Sequence, residues 1–203
     1  MPEKELTAVI LAGGEGRRMG GVDKGLVPLA GKPMIDHVIA RLQPQVHHLL
    51  INANRSHEQY RGLGWPVVAD QAGGHAGPLM GMLTAMRHVQ ASRVLIAPCD
   101  TPLLPHDLVC RMWEAATSDV DIVQARDRER VHPVVALLRT ALADDLSAAL
   151  AAGERRIDRW YARHRLTSVC FESHLAFTNV NHESDAQALL PLLDNSRGDY
   201  PGA

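Results

Sequence analysis

Apolar positions along this chain fall into short runs that alternate with stretches of helical spacing. Unbroken runs such as Ala8-Val9-Ile10-Leu11 and Val94-Leu95-Ile96-Ala97 suit strands covered on both faces, since a half-exposed strand would alternate polar and apolar residues instead. On this reading strands lie at residues 8–11, 49–52, 66–69, 94–97, 121–124, 134–138 and 167–171, and helices near 33–42, 79–90, 107–116, 141–152 and 185–193. The helix after Leu79 has the clearest period. Leu79, Met82, Leu83 and Met86 recur at i, i+3, i+4 and i+7, which builds one apolar face and makes the methionines core residues. Ser184 with Gln187 has capping-box spacing and predicts the start of the last helix. Strands alternating with helices predict an α/β domain with a mostly parallel central sheet and helices on its faces.

One stretch breaks the pattern. Between Leu11 and Pro33 lie about twenty residues with little periodicity, a length that inside an ordered domain usually serves function. There the first strand runs into LAGGEGRRMGGVDKGL (residues 11–26). Glycines let backbone N–H groups approach an anion, and Arg17, Arg18 and Lys24 add charge, so the stretch reads as a phosphate-holding loop rather than a plain turn. It is not a Walker loop, which needs Ser or Thr after the Gly-Lys pair where Gly25 follows Lys24. Nor is it the dinucleotide fingerprint, whose third glycine position holds Met19.

Several strands end in residues able to contact a nucleotide, at Asn52, Asp70 and Asp100. In open parallel sheets the carboxyl ends of the strands form the ligand crevice, so these positions are expected to share one edge with the glycine loop. Asp100, in Pro98-Cys99-Asp100-Thr101-Pro102, suits a Mg²⁺ ligand because that ion takes hard oxygens from one or two carboxylates and from substrate phosphates. Its plainer role is to cap the turn. The segment from Gly73 to Gly81 opens the strongest helix and can close over an anion. His132-Pro133 begins a strand, and Arg155, Arg156, Arg159 and Arg163 read either as a solvated helix face or as a second anion site.

Charge and composition narrow the classes. At 203 residues the chain suits one domain able to bury roughly 70% of its unfolded surface. The 21 Lys and Arg against 23 Asp and Glu leave a net charge of -2, too little basic field for nucleic acid, so phosphate binding must be local. Cys99, Cys110 and Cys170 lack metal or redox spacing, which fits a reducing compartment. No run approaches the roughly 20 apolar residues of a membrane span. A cytoplasmic protein with no membrane association is expected.

Taken together, these segments closely resemble the molybdenum cofactor guanylyltransferases. The resemblance rests on LAGGEGRRMGGVDKGL, on NANR (residues 52–55), on Asp70 with GPLMG (77–81), on PCDTP (98–102), on His132-Pro133, on AGERR (152–156) and on NVN (179–181). They keep their order and cover residues 7 to about 190. Two departures are His182-Glu183 after NVN, where Thr-Pro is common, and Met80 where a smaller Ala is common.

The resemblance implies a three-layer αβα, Rossmann-like nucleotidyltransferase fold in one domain over residues 1–193. Its nucleotide-binding half would span about 1–105 and its acceptor-binding half about 106–193, with 194–203 as a flexible tail. It implies Mg²⁺-dependent transfer of GMP from GTP to the phosphate of molybdopterin or its molybdenum-loaded form, giving the guanine dinucleotide cofactor and pyrophosphate. Carried over by position, Leu11, Ala12 and Gly13 would contact the nucleotide, Lys24 the phosphates, Asn52 and Asp70 the guanosine, and Asp100 both GTP and Mg²⁺. Lys24, Asp100 and Arg18 would serve the chemistry, with Gly77, His132, Asn179 and Asn181 toward the acceptor. A monomer is expected, in transient contact with proteins that deliver the acceptor or mature molybdoenzymes. Rival readings are a CTP-dependent or sugar-phosphate transferase and a nucleotide-binding regulator without turnover.

Overall fold

The computed structural model describes residues 6–12, 23–70 and 77–195. Its centre is strand β1 (Thr7–Leu11), flanked by two strands with equally unbroken apolar runs, β4 (His48–Asn52) and β6 (Arg93–Pro98). Both pair with β1 in parallel, and the register sets Leu11 opposite Asn52 on one side and Pro98 on the other. The short β5 (Val67–Val68) extends the sheet beyond β4. On the other side come β8 (Val131–Arg139), β7 (Ile122–Arg126) and β9 (Leu166–Cys170), giving the order β5-β4-β1-β6-β8-β7-β9. Only β8 runs against the rest, so the sheet is mostly parallel, as the runs predicted.

Continuous apolar strands follow from helices on both faces. Ala8 and Ile10 of β1 pack into a core with α1 (Met34–Leu42) and α4 (Leu108–Glu114), while Val9 packs with α3 (Pro78–His88), α5 (Ala143–Ala151) and α6 (Ile157–Tyr161) on the opposite face. Alternate residues of one strand thus feed two cores. A smaller cluster joins Leu29 and Met34 to Val180, Leu189 and Leu193, docking α7 (Glu183–Asn195) beside the start of α1.

Four local features differ from the sequence reading. Within the aperiodic stretch a 3-10 turn spans Lys24–Leu26, followed by a hairpin of β2 (Pro28–Leu29) and β3 (Lys32–Pro33). Its two-residue turn has positive φ at both Ala30 and Gly31, the handedness that matches strand twist, but Ala in the first position hides the usual Asn-Gly signal. Two five-residue helices, α2 (His57–Arg61) and α6, were too short to show a period. The last helix begins at Glu183 rather than at Asp185 and continues to Asn195. Asp185 starts it, accepting the backbone N–H of Asn181 at 2.8 Å and of His182 at 2.9 Å, so the side chain that reaches back belongs to Asp185 rather than Gln187.

Pro133 sits inside β8 but short of the stretch Ala136–Arg139 that pairs with β6, so its missing N–H bears only on the β7 side. The β7–β8 register jumps there, from Gln124 opposite Ala136 to Ala125 opposite His132, and the bulge absorbs the proline.

Candidate functional site

At the carboxyl edge of the parallel strands the chain brings together residues far apart in sequence. Ala12, just past β1, donates its N–H to the Asn52 carbonyl at 2.8 Å, and Cys99 donates to the Leu11 carbonyl at 3.1 Å. These bonds hold the ends of β1, β4 and β6 level. Asn52, Asp70 and Asp100 therefore lie along one edge, as expected from strand order.

The first grouping forms around Asp100. Lys24, carried by the 3-10 turn, pairs its Nζ with Asp100 Oδ2 and donates to Asn181 Oδ1 at 2.5 Å. Asn181 is brought there by backbone, since the Val180 N–H bonds the Asp100 carbonyl at 3.0 Å. Three sequence-predicted residues, 157 positions apart at the extremes, thus meet. The other Asp100 oxygen, Oδ1, is buried with no hydrogen-bond partner among the described residues. A buried anionic oxygen with nothing to accept from is costly and fits a hard cation; no set of three or more His, Cys, Asp or Glu suited to a metal occurs among the described residues.

Lys24 is itself positioned from below. The preceding Asp23 is buried, accepts the Tyr60 hydroxyl at 2.6 Å and lies 3.3 Å from Arg55 Nε. Gly25 follows because a Cβ there would meet the Tyr60 oxygen at 2.6 Å. Burial pushes the Tyr60 phenol well above its usual range, reinforced by its bond to Asp23. Burial likewise raises the Cys99 thiol, with Asp100 adding to it; a neutral buried thiol is a packing residue and no nucleophile.

The second grouping surrounds Asp70. Its Oδ1 accepts from Asn52 Nδ2 at 2.9 Å and from Thr84 Oγ at 2.8 Å, and its Oδ2 from Asn54 Nδ2 at 2.8 Å. Asn54 closes a ring by accepting the Asp70 N–H at 2.8 Å. Sequence reasoning missed Asn54 and Thr84. The available signal was a hydroxyl inside the apolar run Met82-Leu83-Thr84-Ala85-Met86, since a buried hydroxyl needs a partner.

The remaining expected residues divide. Gly77 precedes α3 with φ +67, a conformation that favours glycine, and Asn179 is exposed beside Val180. His132 bonds Asp127 Oδ2 at 2.8 Å and stacks on Phe177 with ring centroids 4.6 Å apart. Asp127 is also held by the N–H groups of Glu129 and Arg130, each at 2.8 Å, and the Arg130 N–H above all lowers its carboxyl to about 2. His132 thus ties the β7–β8 turn to the segment leading to Asn181. Gly13, Arg17 and Arg18 lie outside the described residues, as do residues 73–76 of the segment that opens α3. A groove of about 320 Å³ between α3 and α5 is lined by Met80, Leu83, Arg87, Ser147, Leu150 and Arg155. Arg155 donates there to the Leu150 carbonyl at 2.9 Å, whereas Arg156 is exposed and paired with Asp158.

Comparison with known proteins places this edge in context. Residues 8–168 match the profile of the MobA-like NTP transferase domain. The chain is 50% identical over 194 residues to the molybdenum cofactor guanylyltransferase of Shewanella sp. strain MR-4, covering 95% of this chain and 98% of that one. It is 51% identical over 190 residues to the protein of the same name from Shewanella amazonensis, covering 93% and 97%. Among solved structures, molybdopterin-guanine dinucleotide biosynthesis protein A from Archaeoglobus fulgidus has the same fold, with a TM-score of 0.77, 21% identity and coverage of 93% and 99%. 4-diphosphocytidyl-2C-methyl-D-erythritol synthase from Anaerococcus prevotii shares it at 9% identity and a TM-score of 0.75, covering 94% and 96%.

Proposed function

The chain belongs to the MobA-like NTP transferase family, and from that membership we propose that it is a molybdenum cofactor guanylyltransferase. It transfers GMP from GTP to the terminal phosphate of molybdopterin, forming the guanine dinucleotide cofactor and releasing pyrophosphate. The observation that carries this reading is the meeting of Lys24, Asp100 and Asn181 at one end of the strand edge whose other end holds Asn52 and Asp70.

In the reaction an acceptor phosphate oxygen bonds to the α-phosphorus of GTP as the bond from that phosphorus to the β-phosphate oxygen breaks. Both partners are anions, so charge must be neutralised before they can meet. Lys24 supplies an ammonium group that Asp100 and Asn181 hold ready. Asp100 Oδ1 is the oxygen we assign to Mg²⁺, which when bound would draw charge from the phosphates. No side-chain nucleophile is required, because the attacking phosphate is already ionised near pH 7. Asn52 and Asp70 take the guanosine, and Gly77, His132, Asn179 and Asn181 lie on the side we assign to molybdopterin. Arg18 and Gly13 complete the triphosphate cradle in this reading, with the reaction running in the cytoplasm. Among the described residues no helix is long and apolar enough to cross a membrane.

The test is pyrophosphate release with Mg²⁺ and GTP, CTP or UTP, with and without molybdopterin. Release with GTP that depends on molybdopterin is expected. Tight GTP binding with no release would favour a regulator, and release with CTP a cytidylyl enzyme.

A further inference from the structure

The three donors around Asp70 serve a purpose that strand-end placement alone does not explain. A carboxylate has roughly four acceptor sites, and here Asn52 and Thr84 fill both on Oδ1 while Asn54 takes one on Oδ2. Among the described residues nothing takes the remaining site on Oδ2, and its direction is fixed because the group can no longer rotate. Thr84 contributes most unusually. A threonine inside a helix ordinarily returns its hydroxyl to the carbonyl one turn back, but Thr84, 3% exposed, crosses from α3 to a residue 14 positions earlier. The bond joins Asp70, just before residues 71–76, to the helix just after them.

We propose that Thr84 and Asn54 are positioning residues for base selection, holding the open Asp70 oxygen toward the donor edge of guanine so that it accepts from the exocyclic N2 amino group. This inference rests on the guanylyltransferase reading and extends it from the nucleotide to the origin of its base preference. An acceptor aimed at that edge suits guanine, whose adjacent N1–H and N2–H both donate. Adenine and cytosine present an acceptor nitrogen at the corresponding position. Hypoxanthine keeps N1–H but lacks the amine, so inosine triphosphate (ITP) is the probe that isolates the contact.

The supporting result is a wild-type preference for GTP over ITP of about 10-fold or more in kcat/KM, the scale of one hydrogen bond to a charged group. Thr84→Val, nearly isosteric but without the donor, is expected to raise KM for GTP several-fold with little change in kcat, and to shrink the GTP-to-ITP ratio to about two. Thr84→Ser, which keeps the hydroxyl, is expected to restore the ratio, whereas a purely structural role for Thr84 would weaken both nucleotides alike and leave it unchanged. Asn54→Ala is expected to shrink it as well. An unchanged ratio in Thr84→Val, or a wild type that uses GTP and ITP equally, overturns the proposal. Calorimetric binding of GTP and ITP to the same proteins reads the discrimination without turnover, so failure of the transfer reading and failure of this one are told apart.

Discussion

Two carboxylates stand at the same sheet edge, one after β5 and the other after β6 with β4 and β1 between them, and the chain treats them in opposite ways. Asp70 is surrounded by neutral donors, three of them on its two oxygens. Among the described residues, Asp100 has a single cation on one oxygen and nothing on the other. A carboxylate nearly saturated by fixed dipoles has a defined shape and little unspent charge, which suits it to recognising a donor pattern. One left half bare in a buried setting keeps a strong field and attracts a cation. On the proposed reading, the base end of the site is built for selection and the phosphate end for charge.

That contrast is broken most directly at Asp100. Asp100→Ala is expected to lower kcat about 1,000-fold, the upper range for loss of one charge-stabilising group, with the fold intact by circular dichroism. Near-normal GMP transfer would remove Asp100 from the chemistry. Lys24→Ala comes next, with a loss of about 100-fold in kcat/KM spread over both GTP affinity and rate; unchanged kinetics would mean that the turn at residues 24–26 does not hold the triphosphate.

Smaller effects sharpen the base end. A Cβ on Gly81 would meet Asn52 Oδ1 at 2.7 Å and a Leu11 methyl at 2.9 Å. Gly81→Ala gains about 1 kcal/mol of helix propensity but crowds Asn52, which is pinned to Asp70, at a cost of about 1–3 kcal/mol. A melting temperature lowered by a few degrees, with weaker GTP binding, is expected; a more stable variant with normal affinity would show that Asn52 is free to move.

Asp127 supplies the control, a carboxylate saturated by backbone and by His132, in contact with neither grouping. Its folded pKa of about 2 lies below the unfolded value near 3.9. It therefore stabilises the fold above about pH 4, and that contribution fades as pH falls toward 2. Asp127→Asn should show a shallower loss of stability across that window in acid titrations followed by circular dichroism. An acid dependence equal to wild type would assign the effect to other carboxyls.

The strands, their covering on both faces and the placement of Asn52 and Asp100 at strand ends were legible because they are local. An unbroken apolar run and the polar residue that ends it are adjacent in sequence. The hairpin at Ala30-Gly31, the short helices α2 and α6 and the reversed β8 were not legible, because their signals are weak or reside in pairing partners. Asn181 was read by resemblance as an acceptor contact, while its bond to Lys24 depends on the backbone link from Val180 to Asp100. His132 was read in the same way, and the structure adds what its ring touches.

By itself, then, the sequence determined the class of fold and the chemical types available at the edge, and it is the source of the proposed phosphate-holding role of the first loop. These follow from periodicity and from residue identity, which are properties of short segments. Tertiary structure alone decided which carboxylate would be nearly filled with donors and which left half bare. That outcome depends on Thr84 arriving from a helix beyond Asp70 and on Asn181 arriving from near the chain's end, contacts whose energies exist only once distant segments are brought to within about 3 Å of each other.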